Sequence, residues 1–229
     1  MKGLHLFHFK FSACSMKTRI FLGLKEIYFV SHHIDLQKKE NFSEYFQGIT
    51  PRSLVPVLVD DGEVHIESND ILEYLDEKFP SSKLIPIEKS LEIKQMMIEE
   101  NDLHIDIRNI TFKFLIPKFL NKVTIQEKIS SKATLNGETD QEDDKNRNFW
   151  KAYKRHGIKD DAANKSLLNL KIHLEDIDEK LNHHTYILGN ELTLPDVAWF
   201  IYVSRLKLAK YPIHILSLIH ISEPTRLWT

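Results

Sequence analysis

The sequence predicts an α+β protein in two parts, an N-terminal α/β domain over residues 1–86 followed by an all-α helical domain over residues 87–215. Three observations carry that expectation. Strand-like and helix-like runs alternate as far as Pro80; no strand pattern recurs from Ser90 onward; and Pro80-Ser-Ser-Lys-Leu-Ile-Pro86 between them has the composition of a linker. Strands first and helices afterwards imply two separately built domains.

Each element follows from its local pattern. Leu4 to Phe9 reads as a short strand with Leu4, Leu6 and Phe7 as core candidates, and Met16 to Leu24 has helical spacing at Ile20, Phe21 and Leu24. Tyr28 to Leu36, β-branched and aromatic in its first half, is a second strand. A helical turn over Phe42 to Phe46 leads into Thr50-Pro-Arg-Ser-Leu-Val-Pro56. Val57-Leu-Val59 and Val64-His-Ile66 flank Asp60-Asp61-Gly62 and read as a β-hairpin. Ser68 opens a helix whose apolar face is Ile71, Leu72, Leu75 and Phe79, and Pro80 stops it.

Beyond the linker, helices are expected over Leu91 to Leu120, Asn146 to His156, Asp160 to Leu181 and Pro195 to Lys210. Ser130 to Asn148 is polar, acidic and free of periodicity, so a flexible insertion is expected there. Thr193-Leu-Pro-Asp196 stands ahead of the apolar run Val197, Ala198, Phe200 and Ile201. It is a capping-box variant with Asp in place of Glu and Pro195 in the first turn, structural in role. Leu216-Ser-Leu-Ile-His-Ile-Ser-Glu-Pro-Thr-Arg226 reads like the in-frame translation of a sequencing-library adapter, so residues 216–229 are set apart from the fold.

Composition limits the function classes. Of 229 residues, 42% are hydrophobic and 28% charged, and 31 basic against 33 acidic residues give a net charge of −2. That balance supports packed cores and leaves no global excess to hold nucleic acid or an anionic membrane. Cys14 is the single cysteine, which excludes an intramolecular disulfide and a thiolate zinc cage and fits a reducing, cytoplasmic location. The 12 histidines include His32-His33 and His183-His184, but neighbours on a strand or helix point apart, and no His-Glu-x-x-His spacing occurs, so no metal is expected. His5, His8 and Lys10 interrupt the leading apolar run too early for a signal peptide. No stretch approaches the roughly 18 apolar residues of a membrane span.

Three short motifs precede or open elements that a βαβ-hairpin arrangement sets side by side: Ser12-Ala-Cys14-Ser15, Val55-Pro56 and Glu67-Ser68. Together with Val55-Pro-Val-Leu-Val and Ile66-Glu-Ser-Asn-Asp-Ile71, they resemble the glutathione-binding half of glutathione transferases. The resemblance runs through most of residues 1–86, and the helical remainder with its Thr193 to Asp196 box is similar to that family's second domain. Cys14-Ser-Met-Lys-Thr-Arg19 looks most like tetrachlorohydroquinone reductive dehalogenases, Ser12-x-Cys-Ser is similar to zeta-class maleylacetoacetate isomerases, and Thr50-Pro-Arg is similar to bacterial β-etherases. The fold implied is thioredoxin-like followed by helices.

The resemblance also implies roles. A cis Val55-Pro56 bond would turn the Val55 amide and carbonyl toward the cysteinyl unit of glutathione as a short added strand. Ser68, as a helix cap, would present amides to a carboxylate of the γ-glutamyl unit, and Glu67 would accept its ammonium. Glutathione must react as thiolate, and lowering a thiol pKa by about 2 units takes roughly 2.7 kcal/mol. One hydroxyl hydrogen bond supplies about 1.5 to 3 kcal/mol and a helix N-terminus about 0.3 to 1. Ser12 is then the implied hydroxyl donor, Ser15 its substitute, and Cys14 the counterpart of the dehalogenase cysteine, able to take part in thiol exchange.

The expected activity is attack of glutathione thiolate on a small hydrophobic electrophile by conjugation, dehalogenation or ether cleavage. Two alternatives stay open: a thioltransferase or dehydroascorbate reductase using Cys14, and a non-catalytic glutathione-binding module. Homodimerisation is implied by the family. Lys17 stands where a thioredoxin-type Cys-x-x-Cys has its second cysteine, which excludes dithiol chemistry. Thr50 and Ser53 depart from the Asn-Pro-Arg-Gly pattern, which leaves the turn before Val55 open.

Overall fold

The computed structural model describes residues 1–81, 83–116, 134–135, 138–139 and 141–210. The adapter-like segment lies outside the described residues. The described chain divides into two compact units, one containing Met1–Leu72 with described residues of 116–158, the other containing Glu73–Leu115 with described residues from Lys159 onward.

The first unit is built on a four-stranded mixed sheet. Its strands are β1 (Leu4–His8), β2 (Val30–His33), β3 (Val57–Asp60) and β4 (Glu63–His65), in the order β2-β1-β3-β4. β1 and β2 are parallel and joined across α1 (Ala13–Leu24), because two parallel strands need a crossover element between them. β3 runs antiparallel to β1 with Phe7 opposite Val57 and Leu6 opposite Leu58. β3 and β4 form the expected hairpin, with Asp61 and Gly62 both at positive φ in its turn.

Strand alternation sorts the core. Phe7, Val57 and Val59 face one way and pack with Ile34 and with Phe46 of the short helix α2 (Glu44–Gln47). Leu6, Leu58 and His8 face the other way, where His8 meets Arg19 of α1. α3 (Ser68–Lys78) buries Ile71, Leu72 and Leu75 completely, the stripe its i, i+1, i+4 spacing predicts. Burying each such side chain contributes roughly 1.5 to 3 kcal/mol.

In the second unit α4 (Ser90–Asp102) and α5 (His104–Ile110) occupy the run expected as one helix to Leu120, and residues 117–120 lie outside the described residues. The helix is interrupted at Leu103 and widens into a π turn over Thr111–Leu115. Polar contacts tie these helices to α7 (Asp160–His183): Asn109 Nδ2 donates to Ser166 Oγ at 3.0 Å and Asn169 Nδ2 to Asp106 Oδ2 at 3.3 Å. Tyr202 of α8 (Leu194–Leu208) donates to the Glu100 carbonyl at 2.8 Å.

One expectation is corrected by the described part of 130–148. Short strands β5 (Thr134–Leu135) and β6 (Glu138–Thr139) pair there, and α6 (Gln141–His156) begins at Gln141 rather than Asn146. The acidic run Glu142-Asp-Asp144 that reads as a solvated loop is the first turn of a helix, where negative charge is favoured. Arg147 pairs with Asp144 one turn on, and Trp150 Nε1 donates to Asn146 Oδ1 at 3.0 Å.

Candidate functional site

The three motifs meet at one end of the first unit's sheet. The β1–β3 register sets Val55-Pro56, just ahead of Val57, beside the exit of β1 and therefore beside the loop leading to Ser12. The β3–β4 register pairs Leu58 with His65, and carried two residues further it brings Glu67 alongside Pro56. The Val55–Pro56 peptide is cis.

The turn from β1 into α1 is closed by Ser12 N donating to the Phe9 carbonyl at 3.1 Å. Ser12 is the α1 cap: its backbone is extended, its carbonyl accepts from Met16 N at 2.9 Å, and its Oγ accepts from Ser15 N at 3.3 Å. A hydroxyl that accepts one N–H still has its own proton to donate. Cys14, half-buried in the first turn, has its carbonyl bonded by Thr18 Oγ1 at 3.1 Å. Ser15 is fully buried and its Oγ accepts from Phe9 N at 3.3 Å, which ties it to the same turn.

Arg19 holds the same turn from outside. It donates to His8 Nδ1 at 3.1 Å, to the Phe9 carbonyl at 3.4 Å and to the Lys10 carbonyl at 3.1 Å. Because a guanidinium only donates, His8 Nδ1 must carry the lone pair, and Nε2–H then donates to Ser31 Oγ at 2.7 Å. Burial, with Arg19, His33 and His32 adding, lowers the His8 pKa to about 4. The paired histidines do point apart, His32 stacking on Phe7 and His33 meeting His8 edge-on.

At the second corner the cap of α3 is Glu67 and not Ser68. The Glu67 carbonyl accepts from Ile71 N at 2.9 Å, which makes Ser68 the first helical residue. Glu67 sits at φ +64°, a left-handed conformation that costs a residue with a Cβ about 1–2 kcal/mol. Its side chain is half exposed and pairs with the buried Arg52. Two residues on, in the first turn of α3, Asn69 accepts from Lys17, a lysine of α1 only 2% exposed. Glu67 and Asn69, either side of Ser68, are thus gripped by two buried basic side chains.

The loop before Val55 is equally determined. Ser53, at φ +54° and 2% exposed, has its carbonyl bonded by Asn41 Nδ2 at 2.9 Å and its hydroxyl by Gln47 Nε2 at 3.3 Å. A serine thus occupies the left-handed position where the resembling pattern has Gly. Arg52, Lys17 and Arg19 stand inside the quoted motifs, but their partners Glu67, Asn69 and His8 are set by the fold and not by motif spacing.

Comparison with known proteins bears on the same region. A family model described as "Glutathione S-transferase, N-terminal domain" matches residues 6–83. A "Probable maleylacetoacetate isomerase" of Vibrio cholerae serotype O1 is 30% identical over 202 residues, covering 86% of this chain and 78% of that protein. "Glutathione S-transferase 1" of Dianthus caryophyllus is 39% identical over 83 residues, covering 36% of this chain and 38% of that protein. Among solved structures, the β-etherase LigF of Sphingobium superposes with a TM-score of 0.71 at 23% identity, covering 97% of this chain and 98% of that one. The chain belongs to the glutathione S-transferase family.

Proposed function

We propose that the protein is a glutathione transferase in which the thiolate of bound glutathione attacks a small hydrophobic electrophile. The observation that carries this reading is the convergence of the Ser12 cap, the Val55-Pro56 segment and the Glu67-Ser68 helix start at one sheet end. Ser12 donates its hydroxyl proton to the thiolate, helped by the positive end of α1. Val55 and Pro56 flank the peptide main chain, Glu67 accepts the γ-glutamyl ammonium, and the first turn of α3 from Ser68 faces its carboxylate. Cys14 lies beside the thiolate and is not needed for its attack.

In substitution, sulfur forms a bond to the electrophilic carbon while halide or aryl oxide departs with the electron pair of the broken bond. On a maleyl compound the same attack adds sulfur to the activated double bond. Rotation and expulsion of the sulfur then return the other isomer and unchanged glutathione. Likeness to the probable maleylacetoacetate isomerase of Vibrio cholerae supports isomerisation, and likeness to the Sphingobium β-etherase supports ether cleavage. A reducing cytoplasmic location and a homodimer belong to this reading through the family and the single cysteine.

The test is a panel of aryl chlorides, β-aryl ethers, maleyl compounds and mixed disulfides assayed with glutathione. Ser12→Ala should lower kcat/KM about 10- to 100-fold, the loss of one hydrogen bond to a charged group. Cys14→Ser should stay close to the parent. If Cys14→Ser is dead, Ser12→Ala is active and mixed disulfides are the substrates turned over, the cysteine is the nucleophile and the proposal is wrong.

A further inference from the structure

We infer that Arg52 is a positioning residue for recognition of the glutathione ammonium, acting through Glu67; this rests on the role given to Glu67 above. The guanidinium is 9% exposed and donates from Nη1 to Glu67 Oε1, whereas the Glu67 side chain is 45% exposed. The arginine therefore stands behind the carboxylate and leaves its outer side to a ligand. A bond to Oε1 keeps Oε2 as acceptor for an ammonium donor.

Glu67 is held at both ends. Its carbonyl caps α3 while its backbone is left-handed at φ +64°, and Arg52 fixes the far end of a side chain with several rotatable bonds. The segment bearing Arg52 is immobilised in turn, with Thr50 N bonded to the Phe46 carbonyl at 3.0 Å and Ser53 bonded by Asn41 and Gln47. A planar guanidinium suits this task because its donors are fixed in a fork, whereas a lysine is a point charge on a mobile stem. The binding cost of ordering Glu67 is thus met before glutathione arrives.

The full chain is titrated calorimetrically with glutathione and with glutaryl-cysteinyl-glycine, which lacks only the ammonium. The parent should prefer glutathione at least about tenfold, the range for a hydrogen bond to a charged group. Glu67→Gln should erase the preference, Arg52→Met should cut it to about twofold, and the double variant should lose no more than Glu67→Gln alone. Affinity for the analogue and kcat at saturating glutathione should hold in Arg52→Met. Equal weakening of both ligands in Arg52→Met, or additive losses in the double variant, would overturn the proposal. Should Arg52→Met melt early, Arg52→Lys decides: a full ammonium preference in that variant also overturns it. A parent that does not distinguish the ligands, or a Glu67→Gln variant that still does, removes the role of Glu67 itself and Arg52's with it.

Discussion

His8 shows how one residue links the core to the site. Strand alternation puts it on the face of Leu6, so an apolar residue is expected there, yet an imidazole fits because Arg19 and Ser31 satisfy both its nitrogens. Protonation would charge a buried ring and set a new N–H against the guanidinium, which is why the folded pKa falls to about 4. An unfolded chain has this histidine near 6.5, so between these values the unfolded state binds the proton and the folded state does not. Stability is therefore full above pH 6.5 and declines as pH falls toward 4, by at most about 3 kcal/mol. Urea unfolding at pH 7.5, 5.5 and 4.5 measures this, and His8→Gln should flatten the decline; equal slopes in the two proteins would disprove it. The polar partnership was not legible in the sequence, because Ser31 and Arg19 become neighbours of His8 only once α1 has crossed over the sheet.

Elements were legible where their signals are local. The start of α8 is written in Thr193-Leu-Pro-Asp196, since a capping box needs only residues three apart: Asp196 accepts from Thr193 N and Oγ1, each at 2.8 Å. Its third bond, from Ile187 N at 2.8 Å, ties the helix to a segment nine residues upstream and was not readable. Asp196→Ala should leave three donors with no acceptor in a buried place and cost about 3–5 kcal/mol, against a smaller loss for Asp196→Asn, which keeps one acceptor oxygen. Equilibrium denaturation of the two variants checks the order; a near-neutral Asp196→Ala would show that the box is dispensable. At α3 the same logic gave the right helix and the wrong cap. Ser68 has the capping chemistry, but the left-handed backbone of Glu67 moves the first accepting carbonyl one residue back, and nothing in a Glu-Ser pair announces that. At α6 the polar, acidic run reads as loop, although three acids in a row also suit a helix start.

At the scale of the molecule, the order of runs made the strand-then-helix plan legible, and the three motifs made the family legible. What the motifs did not reveal is the set of cations that hold them, buried at Lys17 and Arg52 and half-buried at Arg19, because these lie far in sequence from the groups they bond, apart from the turn beside Arg19. The division of labour has a consequence for the whole chain. A ligand that binds only the folded state stabilises all of it by mass action, about 2.7 kcal/mol at a concentration 100 times its Kd. For a chain of this size that raises the melting temperature by about 5–10 °C. Ser12→Ala should keep nearly the parent's glutathione-dependent rise, because the lost bond is to the sulfur and matters most when it is charged. Glu67→Gln should lose much of the rise at the same glutathione concentration, because it removes the contact to the ammonium that glutathione carries throughout. Melting curves over a glutathione series separate the two: loss of the rise in Ser12→Ala with retention in Glu67→Gln would mean that the thiol end supplies the binding energy and that the assignment of the two corners is reversed.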